Sequence, residues 1–300
     1  MSDIFDNPAG ASSCDISAAL SSLADGDFIR AVSIGRSVYG RSITALELGS
    51  MVHPAVIVGG THGMEWATVL AALRLAQKTV QSIKDNIPMH GISLREALAE
   101  RGAVIVPLLN PDGYEIRRKG RSAAPRRARL LSRFTGARLA HWQSNANGID
   151  LNHNFNAGFY TAKKQVADIG ITKPGPTRYG GLLPFSQPET RAIRTVCQKC
   201  RPRTLYALHS QGEEIYWRYG KNIPAGSEYI ANLLAQLSGY RLCEPDDIAS
   251  HAGLKDWFIK RYNRPGYTLE LGLGQNPLPY SDFDGIWDRV ARALFVALIL

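Results

Sequence analysis

Short apolar runs alternate with amphipathic segments along the whole chain, with no internal repeat and no low-complexity linker. Ala55 to Gly59, Val104 to Leu109, Leu205 to Leu208 and Tyr267 to Leu271 are short and apolar enough to be strands of a sheet covered on both faces. Apolar residues recur at helical spacing over Glu65 to Val80, Pro188 to Cys200, Ser227 to Leu237 and Ile286 to Leu298, which predicts helices there. The alternation defines an α/β class. Two stretches interrupt it: 116–147, rich in Arg, Ala, Ser and Gly around Pro125, and 163–187, with Pro174, Pro176 and Pro184. Both predict long surface loops, where substrate-contacting residues commonly sit. We expect residues 1–34 to pack as an N-terminal segment on a single domain spanning 35–300.

A hydrophobic content of 45% with 20% charged residues separates the chain from disordered sequences, and 300 residues suffice for a substantial core. Cys197 and Cys200 form a CxxC pair, but Cys14 and Cys243 supply no second pair for a zinc ribbon, so two helical cysteines one turn apart is the expectation. The net charge of +9 favours anionic partners. Much of it lies between Arg117 and Arg138, where a solvated loop or helix face explains it; with no nucleic-acid motif alongside, nucleic acid is not an expected partner. Residues 1–25 show acidic residues early and no basic segment leading into an apolar core, and no apolar stretch reaches spanning length. The expectation is therefore a cytoplasmic protein with no membrane partner.

Chemistry concentrates at strand ends. Gly59-Gly60-Thr61-His62-Gly63-Met64-Glu65 follows an apolar strand and opens a helical run, so a His and a Glu three residues apart can turn toward one point. Imidazole and carboxylate suit zinc, which needs a third ligand and an open position; alone, the pair also fits a helix N-terminus with an acid favouring the dipole. His209 ends another apolar strand and can face the same sheet edge, either as a ligand or as a satisfied polar residue. Glu270, flanked by apolar residues in Gly266 to Gly272, must be exposed or paired, because an isolated buried carboxylate is costly. A catalytic base beside a metal and a structural ion pair both meet that requirement.

Together and in order, these pieces resemble the zinc carboxypeptidase family. His62-x-x-Glu65 matches its first ligand pair, followed by Asn110-Pro111-Asp112-Gly113-Tyr114, Arg118-Lys119-Gly120-Arg121-Ser122, Gly148 to Phe155, His209, Gly253 to Trp257 and Glu270. The resemblance spans roughly residues 35 to 298 and implies a three-layer α/β/α fold with a mixed, mostly parallel sheet. It further implies one Zn2+ per chain held by His62, Glu65 and His209, with Glu270 as general base and Arg121 polarising the scissile carbonyl. Asp150 is implied as the acceptor that orients His62.

Two departures shape the expected substrate. The family's Asn-Arg pair, which grips a terminal carboxylate, reads Asn152-His153 here, and the family's mobile tyrosine falls at about Ile248. The wording around Leu151 to Phe159, His209 to Trp217 and Gly272 to Pro279 resembles a bacterial branch of γ-D-glutamyl-diamino acid peptidases. That implies an acidic murein peptide as partner, cut between γ-D-glutamate and meso-diaminopimelate, with Asn152, His153 and Lys255 as substrate-binding residues. Lys255 has an equally plain surface role. Hydrolysis of other acidic peptides or acyl-amino acids on the same fold, and non-catalytic murein binding, are the alternatives.

Overall fold

The computed structural model describes residues 2–134, 136–244 and 251–300. Eight strands form one mixed sheet: β1 (Ile29–Arg36), β2 (Ser42–Leu48), β3 (Ala55–Val58), β4 (Ala103–Val106), β5 (Thr204–His209), β6 (Glu214–Tyr216), β7 (Arg241–Cys243) and β8 (Gly266–Glu270), in the order β1-β2-β4-β3-β5-β8-β6-β7. The central strands β4, β3, β5 and β8 run parallel, and antiparallel pairings join β2 to β4 and β6 to β8.

Period-two alternation distributes these strands between two cores. Ala55, Ile57, Ile105, Tyr206 and Leu208 face the helices Trp66–Asp85 and Phe283–Ile299, whereas Val56, Val58, Val104, Leu205 and Ala207 face Pro188–Cys200 and Leu254–Tyr262. A sheet covered on both faces explains why the central strands read as continuous apolar runs. The expected helices are all present, and Cys197 and Cys200 lie unpaired on Pro188–Cys200.

Three features differ from the sequence expectation. The stretch 163–187 begins inside a helix, Phe159–Asp168, whose buried Phe159, Ala162 and Val166 recur every three or four residues. A further helix, Pro111–Lys119, starts at Pro111 in its first position, with Asn110 as cap. The sheet already begins at Ile29, within the segment 1–34. Among the described residues no helix is long and apolar enough to cross a membrane.

Candidate metal centre

The β3 strand stops at Val58 because the chain must turn tightly beneath the helix that follows. A Cβ on Gly59 would lie 2.6 Å from the Thr68 carbonyl oxygen, and one on Gly63 would lie 2.4 Å from the Gly113 backbone. Only glycine lets the loop descend onto the start of Pro111–Lys119. Thr68 fixes the other side: its hydroxyl accepts from Gly60 N–H at 2.9 Å and donates to the Glu65 carbonyl at 2.8 Å. Asn110 ties the loop to its neighbours by donating through Nδ2 to the carbonyls of Thr61 and Gln143, both at 3.1 Å.

These constraints bring His62 and Glu65 to the carboxyl edge of the sheet, where β5 ends in His209. His62 Nδ1 lies 2.7 Å from Glu65 Oε1, and His209 Nδ1 lies 3.1 Å from Glu65 Oε2. One ligand atom from each residue falls within 4.8 Å of the others, a cluster that a single ion can occupy. Two imidazoles and a carboxylate are a donor set suited to zinc. The buried His209 Nε2 has no partner among the described residues.

Asp150 stands behind His62. Its Oδ1 lies 3.1 Å from His62 Nε2 and accepts from Asn152 N–H at 3.1 Å, while Oδ2 accepts from Arg178 N–H at 2.7 Å. Burial opposes charge on all three acidic and basic partners, but their attractions prevail: His62 is raised well above the usual histidine range, Asp150 is lowered, and Glu65 is lowered to about 2.

Glu270, the last residue of β8, pairs in register with His209 across the parallel β5–β8 ladder. Burial and then the Glu65 carboxylate push Glu270 well above the usual carboxylate range. A divalent cation held by Glu65 would relieve that repulsion. Glu270 and the three clustered residues line one cleft of about 550 Å³, together with Asn152 and His153. Burial depresses the His153 pKa, so its imidazole is neutral near pH 7.

Two residues singled out from the sequence lie elsewhere. Arg121 is exposed on the turn Gly120–Ala123 and does not line the cleft. Lys255 is buried, with its ammonium donating to the Arg218 carbonyl at 2.7 Å and to Asp256, so its charge is satisfied inside the protein. The position assigned to the missing tyrosine, Ile248, lies outside the described residues; His251, three residues on, does line the cleft. The sequence reading gave no role to Arg178, Gln143, Tyr216 or Asn276, all of which line it too. Tyr216 carried a usable signal, since it lies within the motif His209 to Trp217. Arg178 sits in a Pro- and Gly-rich loop with no periodicity to place it.

The profile of the family described as zinc carboxypeptidase matches residues 16–293, and the chain belongs to that family. It is a zinc metallopeptidase, acting as a hydrolase on a peptide. More particularly, it is 34% identical over 275 residues to Bacillus subtilis Uncharacterized protein YqgT, covering 90% of this chain and 72% of that one. It is 31% identical over 273 residues to gamma-D-glutamyl-L-diamino acid endopeptidase 1 of Lysinibacillus sphaericus, covering 90% and 67%. The fold is shared with carboxypeptidase A from Helicoverpa armigera, at a TM-score of 0.70 and 20% identity over 96% of this chain and 72% of that one.

Proposed function

We propose that the protein hydrolyses the amide bond between γ-D-glutamate and meso-diaminopimelate in murein peptides, with one zinc ion held by His62, Glu65 and His209. The observation that supports the chemistry best is the register that sets Glu270 beside His209, at the edge where His62 and Glu65 converge. The substrate class follows from the 31% identity to an endopeptidase named for the γ-D-glutamyl-diamino acid bond.

When bound, zinc supplies Lewis acidity that polarises the scissile carbonyl and makes a water more acidic. Glu270 takes the proton from the attacking water and returns it to the leaving amine, which departs neutral. Asp150 holds His62 in the orientation that presents Nδ1 to the metal position. The family resemblance implies Arg121 for the charge that develops on the carbonyl oxygen, but Arg121 stands exposed outside the cleft and does not reach that position in this structure. Asn152 and His153, on the turn Leu151–His153 that Asp150 caps, line the same cleft and meet the substrate there.

The test compares L-Ala-γ-D-Glu-meso-diaminopimelate with its α-linked analogue, with and without a zinc chelator. Chelator-sensitive cleavage confined largely to the γ-linked peptide is expected. Equal or faster cleavage of the α-linked peptide removes the wall-peptide assignment and leaves the zinc peptidase standing.

A further inference from the structure

Beside the metal cleft lies a smaller cavity of about 110 Å³, and the two share His153 and Arg178. Their charge characters are opposite. Glu65, Asp150 and Glu270 line the cleft, where Arg178 is the single lysine or arginine among the described residues. No described aspartate or glutamate lines the side cavity, whereas Arg178 and Lys163 both do. Among the described residues the Lys163 ammonium reaches only the Leu182 carbonyl, at 3.3 Å. The Arg178 guanidinium has no acceptor among the described residues, its only hydrogen bond being the one from its backbone N–H to Asp150. His153 Nδ1 is buried and likewise without a partner among them. The remaining wall is largely apolar, built from Phe159, Ala162, Val166 and Ile171.

The base of Arg178 is fixed. Its N–H lies 2.7 Å from the same carboxylate that contacts His62, and its φ of +63° is rarely adopted by a non-glycine residue. Arg178 is exposed, and its guanidinium, at the junction of an acidic cleft and an apolar pocket, leaves its donors open to a ligand that brings a carboxylate on an aliphatic stem.

We propose that this cavity is a subsite for an aliphatic side chain ending in a carboxylate, with Arg178 binding that carboxylate and Lys163 reinforcing the field. The assignment rests on the γ-D-glutamyl peptide reading above, in which diaminopimelate provides such a side chain. It gives Arg178 the specificity role that Lys255, whose ammonium is already satisfied, does not fill.

Three γ-D-glutamyl peptides test it, differing only at the far end of the residue released: meso-diaminopimelate, 2-aminopimelate, which keeps the distal carboxylate, and lysine, which lacks it. The zinc-loaded wild type is expected to favour both carboxylate peptides over the lysine peptide by about 10- to 100-fold in kcat/KM, as for a charge-assisted hydrogen bond. Arg178→Met should bring that ratio to within about 3-fold, and Arg178→Lys should retain part of it. Lys163→Glu, on an exposed helix face, should lower the ratio by about 3-fold or more through its reversed charge. A wild-type ratio near one, or a ratio unchanged in Arg178→Met and Lys163→Glu, overturns the subsite. Calorimetric titration of the zinc-loaded Glu270→Gln protein with the same peptides separates the two readings. Carboxylate-selective binding that Arg178→Met abolishes supports the subsite even if no peptide is cleaved, in which case the proposed activity falls alone. Equal binding of all three peptides overturns the subsite.

Discussion

Asp150 takes contacts from His62, Asn152 and Arg178 at once, so a single carboxylate sets the position of the first candidate ligand and of two cleft residues. Asp150→Ala is expected to weaken zinc binding by about 10- to 100-fold, the usual cost of losing a partner that orients a metal-bound imidazole. Competition against a chromogenic chelator measures it, and unchanged affinity would show that His62 needs no such support. Arg121 is tested by a different quantity. Because Arg121 stands outside the cleft, Arg121→Ala is expected to lower kcat by less than about 10-fold. A fall of about 100- to 1,000-fold, as for other oxyanion donors, would give it the role that the family resemblance implies. At this scale the sequence was most informative where chemistry and position coincide. His62, Glu65, His209 and Glu270 each sit at or just beyond the end of a buried strand, so the strand pattern located them. Lys255 was misleading for a physical reason: a helix buries its stem beside Asp256, and nothing in its neighbours in sequence reveals the Arg218 carbonyl that satisfies it.

The loop that follows β3 and the helix Pro111–Lys119 are held together by one side chain rather than by propensity. Asn110 caps Pro111–Lys119 by accepting from Gly113 N–H at 2.8 Å, and its amide binds the carbonyls of Thr61 and Gln143. Asn110→Ala removes the cap and leaves two carbonyls without their donor, for a loss of about 2–4 kcal/mol. Asn110→Asp keeps the cap acceptor but not the donors, so denaturant unfolding should place it between the wild type and the alanine variant. Equal stability of Asp and Asn would mean that the cap alone matters. The central strands and the long helices were legible because burial on both faces, or along one stripe, imposes a period. β1, β2, β6 and β7 were not: β1 and β7 are edge strands, β6 and β7 have only three residues each, and β2 mixes buried with half-buried positions instead of forming a continuous apolar run. Pro111–Lys119 was hidden by its composition: its last turn is Arg117, Arg118 and Lys119, which read as the start of a basic loop.

On the scale of the whole molecule, a buried acid far from the metal cluster in sequence makes stability depend on pH. Glu189 opens the helix Pro188–Cys200 fully buried, and burial pushes its pKa up to about 7 despite hydrogen bonds from Asn145 and Val38. The folded state therefore holds this proton more tightly than the unfolded chain. Its stabilising contribution is complete below the ordinary carboxylate pKa, declines as pH rises from there to about 7, and totals about 3 kcal/mol. Relative to Glu189→Gln, the wild type should lose stability between pH 5 and pH 7.5 in urea unfolding; a difference independent of pH contradicts the argument.

The account as a whole turns on a metal held where β3 and β5 end and on a base where β8 ends. Titrating zinc into metal-free protein while following cleavage of L-Ala-γ-D-Glu-meso-diaminopimelate tests both together. Turnover should rise to a plateau at one zinc per chain, and Glu270→Gln should bind the same single zinc while losing at least about 100-fold in kcat, as for removal of a general base. Turnover in the absence of metal, or full turnover by Glu270→Gln, would contradict it.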